Sequence, residues 1–139
     1  MIEIKNENVF MAYQGGYWGP SFYYFVNKKN NSYEFRFGYS PDGRRIENNA
    51  SEINLNTFEK DGEYYQKFIN EILVEIKNWN ESYSDNNIMD GTQWNIQLIE
   101  YNKKYSGSND FPQNYKNVVK ILIKYFNVEL FIKEKYKEL

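Results

Sequence analysis

The chain has 139 residues, a formal charge of −2, and neither cysteine nor histidine. Its length suits a single domain, residues 1–139, able to bury a core unaided. The missing residue types exclude disulfide scaffolds, thiol nucleophiles, metal sites built on Cys or His, and every Ser-His-Asp triad.

The N-terminal stretch MIEIKNENVF puts acidic and amide side chains where a signal peptide needs an unbroken apolar run, and no segment approaches the roughly 18 apolar residues of a spanning helix. A soluble, cytoplasmic protein with no membrane partner is the expectation. Next comes YQGGYWGPSFYYFV, residues 13 to 26, which crowds aromatic rings among Gly15, Gly16, Gly19 and Pro20. A glycine-rich bend cannot bury every ring it carries, so Tyr13, Tyr17 and Trp18 are the rings expected to bind a partner. After Pro20 the residues alternate as a strand does, with Phe22, Tyr24 and Val26 on one face and Tyr23 and Phe25 on the other, and these rings are expected to serve packing.

Residues 33 to 39 alternate again, Tyr33, Phe35, Phe37 and Tyr39 against Glu34, Arg36 and Gly38, and NKKNNS joins the two strands into a hairpin. SPDG at 40 to 43 has the chemistry of a type I turn, and SEINLN, carrying Ile53 and Leu55, predicts a short returning strand. The period then changes. Phe58, Tyr65, Phe68, Ile69, Ile72, Leu73, Ile76 and Trp79 recur at helical spacing, with charged and amide residues between them. This helix starts either at Asn56, which with Glu59 would form a capping box, or at Asp61.

Residues 80 to 91 are polar and turn-rich, and Asp90-Gly91 predicts a tight turn launching a strand in which Trp94, Ile96 and Leu98 alternate with Asn95 and Gln97. A hairpin across Asn102 and Lys103 follows, Gly107 stops the return strand, and Pro112 falls near the first turn of a helix striped by Tyr115, Val118, Val119, Leu122 and Phe126. The tail from Val128 to Leu139 has a helical stripe of its own, either continuing that helix or docking separately. The sum is α+β: an antiparallel sheet of about five to six strands with two or three helices packed on one face, the other face being the candidate working face.

Carboxylates are the acid–base chemistry that remains, and Glu81, Asp85 and Asp90 are the candidates for a hydrolase that runs on acids alone. DNNIMDG at 85 to 91 is not a calcium loop: Met89 stands where an oxygen ligand is required and the closing Glu is missing. Nucleotide-cradling glycine motifs are absent, and GSN at 107 to 109 reads either as backbone N–H groups offered to an anion or as a simple turn. No cofactor and no metal are expected. Charges of both signs are scattered, so nucleic acid is not the favoured partner.

Asp90, Gly91, Trp94, Gly107, Asn109, Phe111 and Pro112, in DGTQWNIQLIEYNKKYSGSNDFPQNYKNVVKIL, form a pattern that resembles a group of small uncharacterised α+β proteins of low-GC bacteria, over roughly a third to a half of the chain. The resemblance implies a strand–strand–helix unit and brings no catalytic residue with it. Abundant Asn, Lys, Ile, Tyr and Phe, all with A/T-rich codons, point the same way, to such a bacterium, its phage or another mobile element. The expected function is a small non-enzymatic binding protein that occludes another protein, a toxin or a defence nuclease, as immunity proteins and inhibitors do. The alternatives are the carboxylate-dependent hydrolase and an aromatic platform for carbohydrate or single-stranded nucleic acid. Oligomeric state does not follow from these residues.

Overall fold

A computed structural model of the chain describes residues 7–16, 20–40, 54–85 and 91–129. Four strands come first, each antiparallel to the one before: β1 (Glu7–Gly16), β2 (Ser21–Lys28), β3 (Tyr33–Ser40) and β4 (Asn54–Lys60). Helix α1 (Gly62–Ile76) follows, then β5 (Ser82–Ser84), β6 (Thr92–Leu98), β7 (Lys103–Ser108) and α2 (Tyr115–Tyr125). The strands form one sheet in the order β4-β3-β2-β1-β6-β7-β5, so β1 is central and the later strands add beside it.

The α+β class and the two helices agree with the sequence reading, whereas the sheet differs from it in two respects. Seven strands are described rather than five to six, and β5 runs parallel to β7, which makes the sheet mixed rather than purely antiparallel. Both extra strands have a physical cause. β1 ends in two glycines and reads as a bend, yet its backbone pairs on both sides, with β2 and with β6. β5 is three residues long inside a turn-rich stretch; it is held at the edge by backbone bonds, Ser106 N–H donating to Glu81 O (3.0 Å) and Asp85 N–H to Ser108 O (2.9 Å).

Several boundaries also move. Phe58 lies on β4, stacked 5.6 Å from its cross-strand partner Phe35, so the strand persists to Lys60 and the Asn56–Glu59 capping box does not form. Asp61 is the cap instead: its carboxylate accepts the Tyr64 N–H at 2.9 Å, satisfying one of the donors a helix start leaves open. β6 and β7 pair from Leu98 to Lys103, leaving residues 99 to 102 as the connection, a single 3-10 turn closed by Asn102 at φ 53°. β7 continues through Gly107 to Ser108. α2 begins at Tyr115, three residues after Pro112, and stops at Tyr125, with Asn127 in the left-handed region at φ 54° breaking the helical run. The turn at residues 41 to 43, Ile53, and the tail from residue 130 onward lie outside the described residues.

Register explains the core. Phe10 stands opposite Val26 and Leu98, Val26 opposite Phe35, and Ala12 opposite Tyr24 and Ile96, so one sheet face is a continuous apolar surface. Both helices cover this face. Phe68 of α1 meets Phe10 edge-on at 4.9 Å and Phe35 at 5.7 Å, while Phe126, just past α2, meets Tyr24 and Phe35 at 5.1 Å each. Rings do the work that Leu does in other cores, and edge-to-face pairs add about 1 kcal/mol each beyond burial. The helices are tied by Asn114, which accepts from Trp79 Nε1 at 2.7 Å and donates to the Glu75 carbonyl at 2.6 Å. Among the described residues no helix lies on the opposite sheet face, although Ser21, Tyr23, Asn27 and Ser40 on it are buried.

Candidate functional site

On the helix-free face the register lines up unlike side chains across four strands. Tyr23 of β2, Tyr13 of β1, Asn95 of β6 and Ser106 of β7 form one transverse row. Phe25, Met11, Gln97 and Lys104 form the next row on one side of it, and Gln93 with Ser108 lies on its other side. The β1–β2 half is therefore aromatic and the β6–β7 half carries amides and hydroxyls.

A groove of about 540 Å³ runs along this face. Tyr13 and Tyr23 pack at 4.9 Å, and Tyr23 and Phe25 lie near-parallel, 15° apart with centroids 6.4 Å apart. Tyr23 is buried in the floor, Tyr13 and Phe25 are half-buried, and Gln93, Asn95 and Ser106 are exposed at the other wall. Gly15 lets the Tyr13 ring lie along its strand: the Tyr13 hydroxyl is 2.7 Å from where a Cβ on Gly15 would stand. The Arg36 guanidinium sits over the outer end of the ring row, 5.8 Å from the Phe25 centroid. Among the described residues lining the groove, none is acidic or basic.

Of the rings singled out in the sequence, Tyr13 lines this groove from the central strand, not from a bend, and Tyr17 and Trp18 lie outside the described residues. Tyr23 and Phe25, which alternation assigns to packing, line the groove with it. Alternation also placed Asn95 on the face opposite Trp94 and Ile96; what it could not show is that neither α1 nor α2 docks on this face. Of the proposed carboxylates, Glu81 is exposed beside the edge strand, Asp85 is half-buried, and Asp90 lies outside the described residues. Among the described residues no group of three or more acidic side chains is placed to hold a metal ion.

Of the residues of the resemblance, Trp94, Gly107, Asn109 and Phe111 come together at the end of β7, and Asp90 lies outside the described residues. Trp94 is 2% exposed, lies flat over Gly107, and donates its indole N–H to the Asp110 carbonyl at 2.8 Å. Phe111 stacks on it at 6.2 Å and 18°. Asn109, at φ 61°, donates its backbone N–H to Thr92 O at 2.8 Å. Because Gly107 and Ser108 belong to β7 and α2 starts only at Tyr115, residues 107 to 109 are not a helix N-terminus, and the anion reading of GSN gives way to the turn. A Cβ on Gly107 would stand 2.2 Å from Trp94 Nε1 and 2.7 Å from Asp110 O, so something must shift. Gly107→Ala is expected to lower unfolding stability by about 2–3 kcal/mol through overpacking and loss of the buried indole bond. Urea denaturation checks this, and a loss under about 0.5 kcal/mol would mean the corner relaxes freely.

Compared with known proteins, the chain matches no family model, no curated protein and no solved structure. Among the described residues no helix is long and apolar enough to cross a membrane.

Proposed function

We propose that this chain is a non-enzymatic binding protein whose recognition surface is the helix-free face of its sheet. One observation carries the reading: a groove of about 540 Å³ in which an aromatic half on β1 and β2 and an amide–hydroxyl half on β6 and β7 lie side by side, with Tyr83 of β5 at the far end. Grooves of this size, with broad apolar area and a few placed hydrogen-bonding groups, are what ligand sites are made of. What this one offers is stacking area and neutral donors and acceptors.

Two uses of such a face follow from the sequence: occlusion of another protein, in the manner of an immunity protein or an inhibitor of a defence nuclease, and a platform for carbohydrate or single-stranded nucleic acid. The ring row beside uncharged polar groups favours the platform, and the chemistry of its ligand is taken up in the next subsection. The face itself is tested by capturing binding partners, macromolecular and small, from the native host with the intact chain and with Tyr13→Ala and Asn95→Ala forms whose melting temperatures match the parent. Loss of the captured partner in both forms supports the face; undiminished capture by both removes it.

A further inference from the structure

We propose that the groove on the helix-free face binds a neutral sugar, stacked against the half-buried rings of Tyr13 and Phe25, which rest on the buried Tyr23, and hydrogen-bonded by Gln93, Asn95 and Ser106. The inference rests on the reading of that face as the binding surface and names its ligand.

A pyranose is chemically two-sided. One face presents a patch of C–H groups, and the rim presents hydroxyls that each donate and accept. The groove is two-sided in the same sense: β1 and β2 supply Tyr13, Tyr23 and Phe25, and β6 and β7 supply amides and hydroxyls in register with them. Neighbouring strands are about 4.8 Å apart, so a ring lying over β1 has its rim over β6. Asn95 is the direct cross-strand neighbour of both Tyr13 and Ser106, which puts an amide between the aromatic half and a hydroxyl. An amide carries donor and acceptor together and can grip a pair of adjacent hydroxyls, where a carboxylate only accepts and an ammonium only donates.

Other occupants fit less well. A nucleotide needs cations or helix N-terminal N–H groups for its phosphates; the described lining has no helix start, and Arg36 over Phe25 and Lys104 in the adjoining row are not among the residues that line the groove. An extended peptide gains its affinity by pairing with a free strand edge. The groove instead lies mostly on the face of β2, β1, β6 and β7, each paired on both sides, and only Tyr83 comes from the end strand β5. A wholly apolar ligand would strip water from Gln93, Asn95 and Ser106 without replacing it, which costs free energy. The ring row and the amide row sit on mid-sheet strands, so little order has to be created on binding.

The test is saturation-transfer NMR and calorimetry of the intact chain. The probes are neutral oligosaccharides of glucose, galactose, mannose and N-acetylglucosamine, with a sulfated oligosaccharide and oligo-dT as charged comparators. The expected result is binding of a neutral saccharide with its C–H face saturated and the charged comparators unbound. Asn95→Ala and Tyr13→Ala should each weaken that binding about tenfold, the scale of one lost bidentate contact or stacked ring, while Tyr13→Phe keeps it. Failure of every neutral saccharide to bind, binding of the charged probes alone, or saccharide binding unchanged in a folded Asn95→Ala form would overturn the proposal. A protein partner whose capture is lost in Asn95→Ala would overturn the sugar and keep the binding face. A protein partner retained by both variants would remove the face as well.

Discussion

Phe68→Ala is expected to lower the unfolding free energy by about 4 kcal/mol, the largest single-residue effect anticipated in this chain. Phe68 is fully buried on α1 and touches four rings from three directions: Phe10 at 4.9 Å and Phe35 at 5.7 Å on the sheet, Tyr125 and Phe126 at 5.5 Å each beside α2. Its neighbours belong to β1, β3 and the end of α2, elements that cannot all close on the space together, so truncation leaves a cavity rather than a repacked core. Against a typical total of about 5–15 kcal/mol, such a loss endangers folding at 37 °C. Urea unfolding with an unchanged m-value measures it, and Phe68→Leu, which keeps most of the volume, is expected to cost about 1–1.5 kcal/mol. A loss below about 1 kcal/mol for the alanine form would show that α1 is not the keystone of this core.

The second large effect is steep unfolding in alkali. Burial pushes the hydroxyls of Tyr24, Tyr65 and Tyr115 well above the ordinary tyrosine value of 10.0, with Tyr65 raised further by its 2.8 Å hydrogen bond to Glu100. Tyr125 is pushed up to about 12, first by burial and then by its hydrogen bond to the Glu71 carboxylate. In the unfolded chain these four lose their protons near pH 10, whereas the folded chain keeps them. Above pH 10 the unfolded state therefore binds fewer protons, and stability falls as pH rises.

The stabilisation is complete below pH 10 and is withdrawn as pH climbs toward and beyond 12, at up to about 1.4 kcal/mol per pH unit for each hydroxyl. Circular dichroism and phenolate absorbance followed together check it: the buried phenolates are expected to appear only as the fold is lost. Tyr24→Phe removes one of the four groups and should make the fall shallower. Full phenolate titration with native circular dichroism would contradict the account.

Much of the fold was legible because strand and helix announce themselves by period. The alternation of Tyr33, Phe35 and Phe37, and of Trp94, Ile96 and Leu98, marks β3 and β6, and the stripe from Tyr65 to Ile76 marks α1. What was misread lay where local signals compete. Phe58 suits the helical stripe as well as a strand, and only pairing with Phe35 decides for the strand. Gly107 looks like a stop, and only the indole lying over it shows why a glycine is needed inside β7.

The candidate site was legible in part. Tyr13 was picked out for its glycine neighbours, and those glycines do matter, since Gly15 makes room for its ring, but the residue belongs to the central strand. Tyr23 and Phe25 were assigned to packing because a strand of rings on both faces gives no hint of which face a helix will cover. The sequence by itself determined which residues share a face of β2, β3 and β6, and that acid–base chemistry would have to run without His or Cys, while it left the cap of α1 open between Asn56 and Asp61. Only the tertiary structure decided that β1 lies at the centre, that β5 adds a parallel edge, and that Tyr13, Tyr23 and Phe25 meet Asn95 and Ser106 in one groove. Side-chain periodicity is a property of a few consecutive residues, whereas strand order and the face on which α1 and α2 dock are set by contacts between residues far apart in the chain.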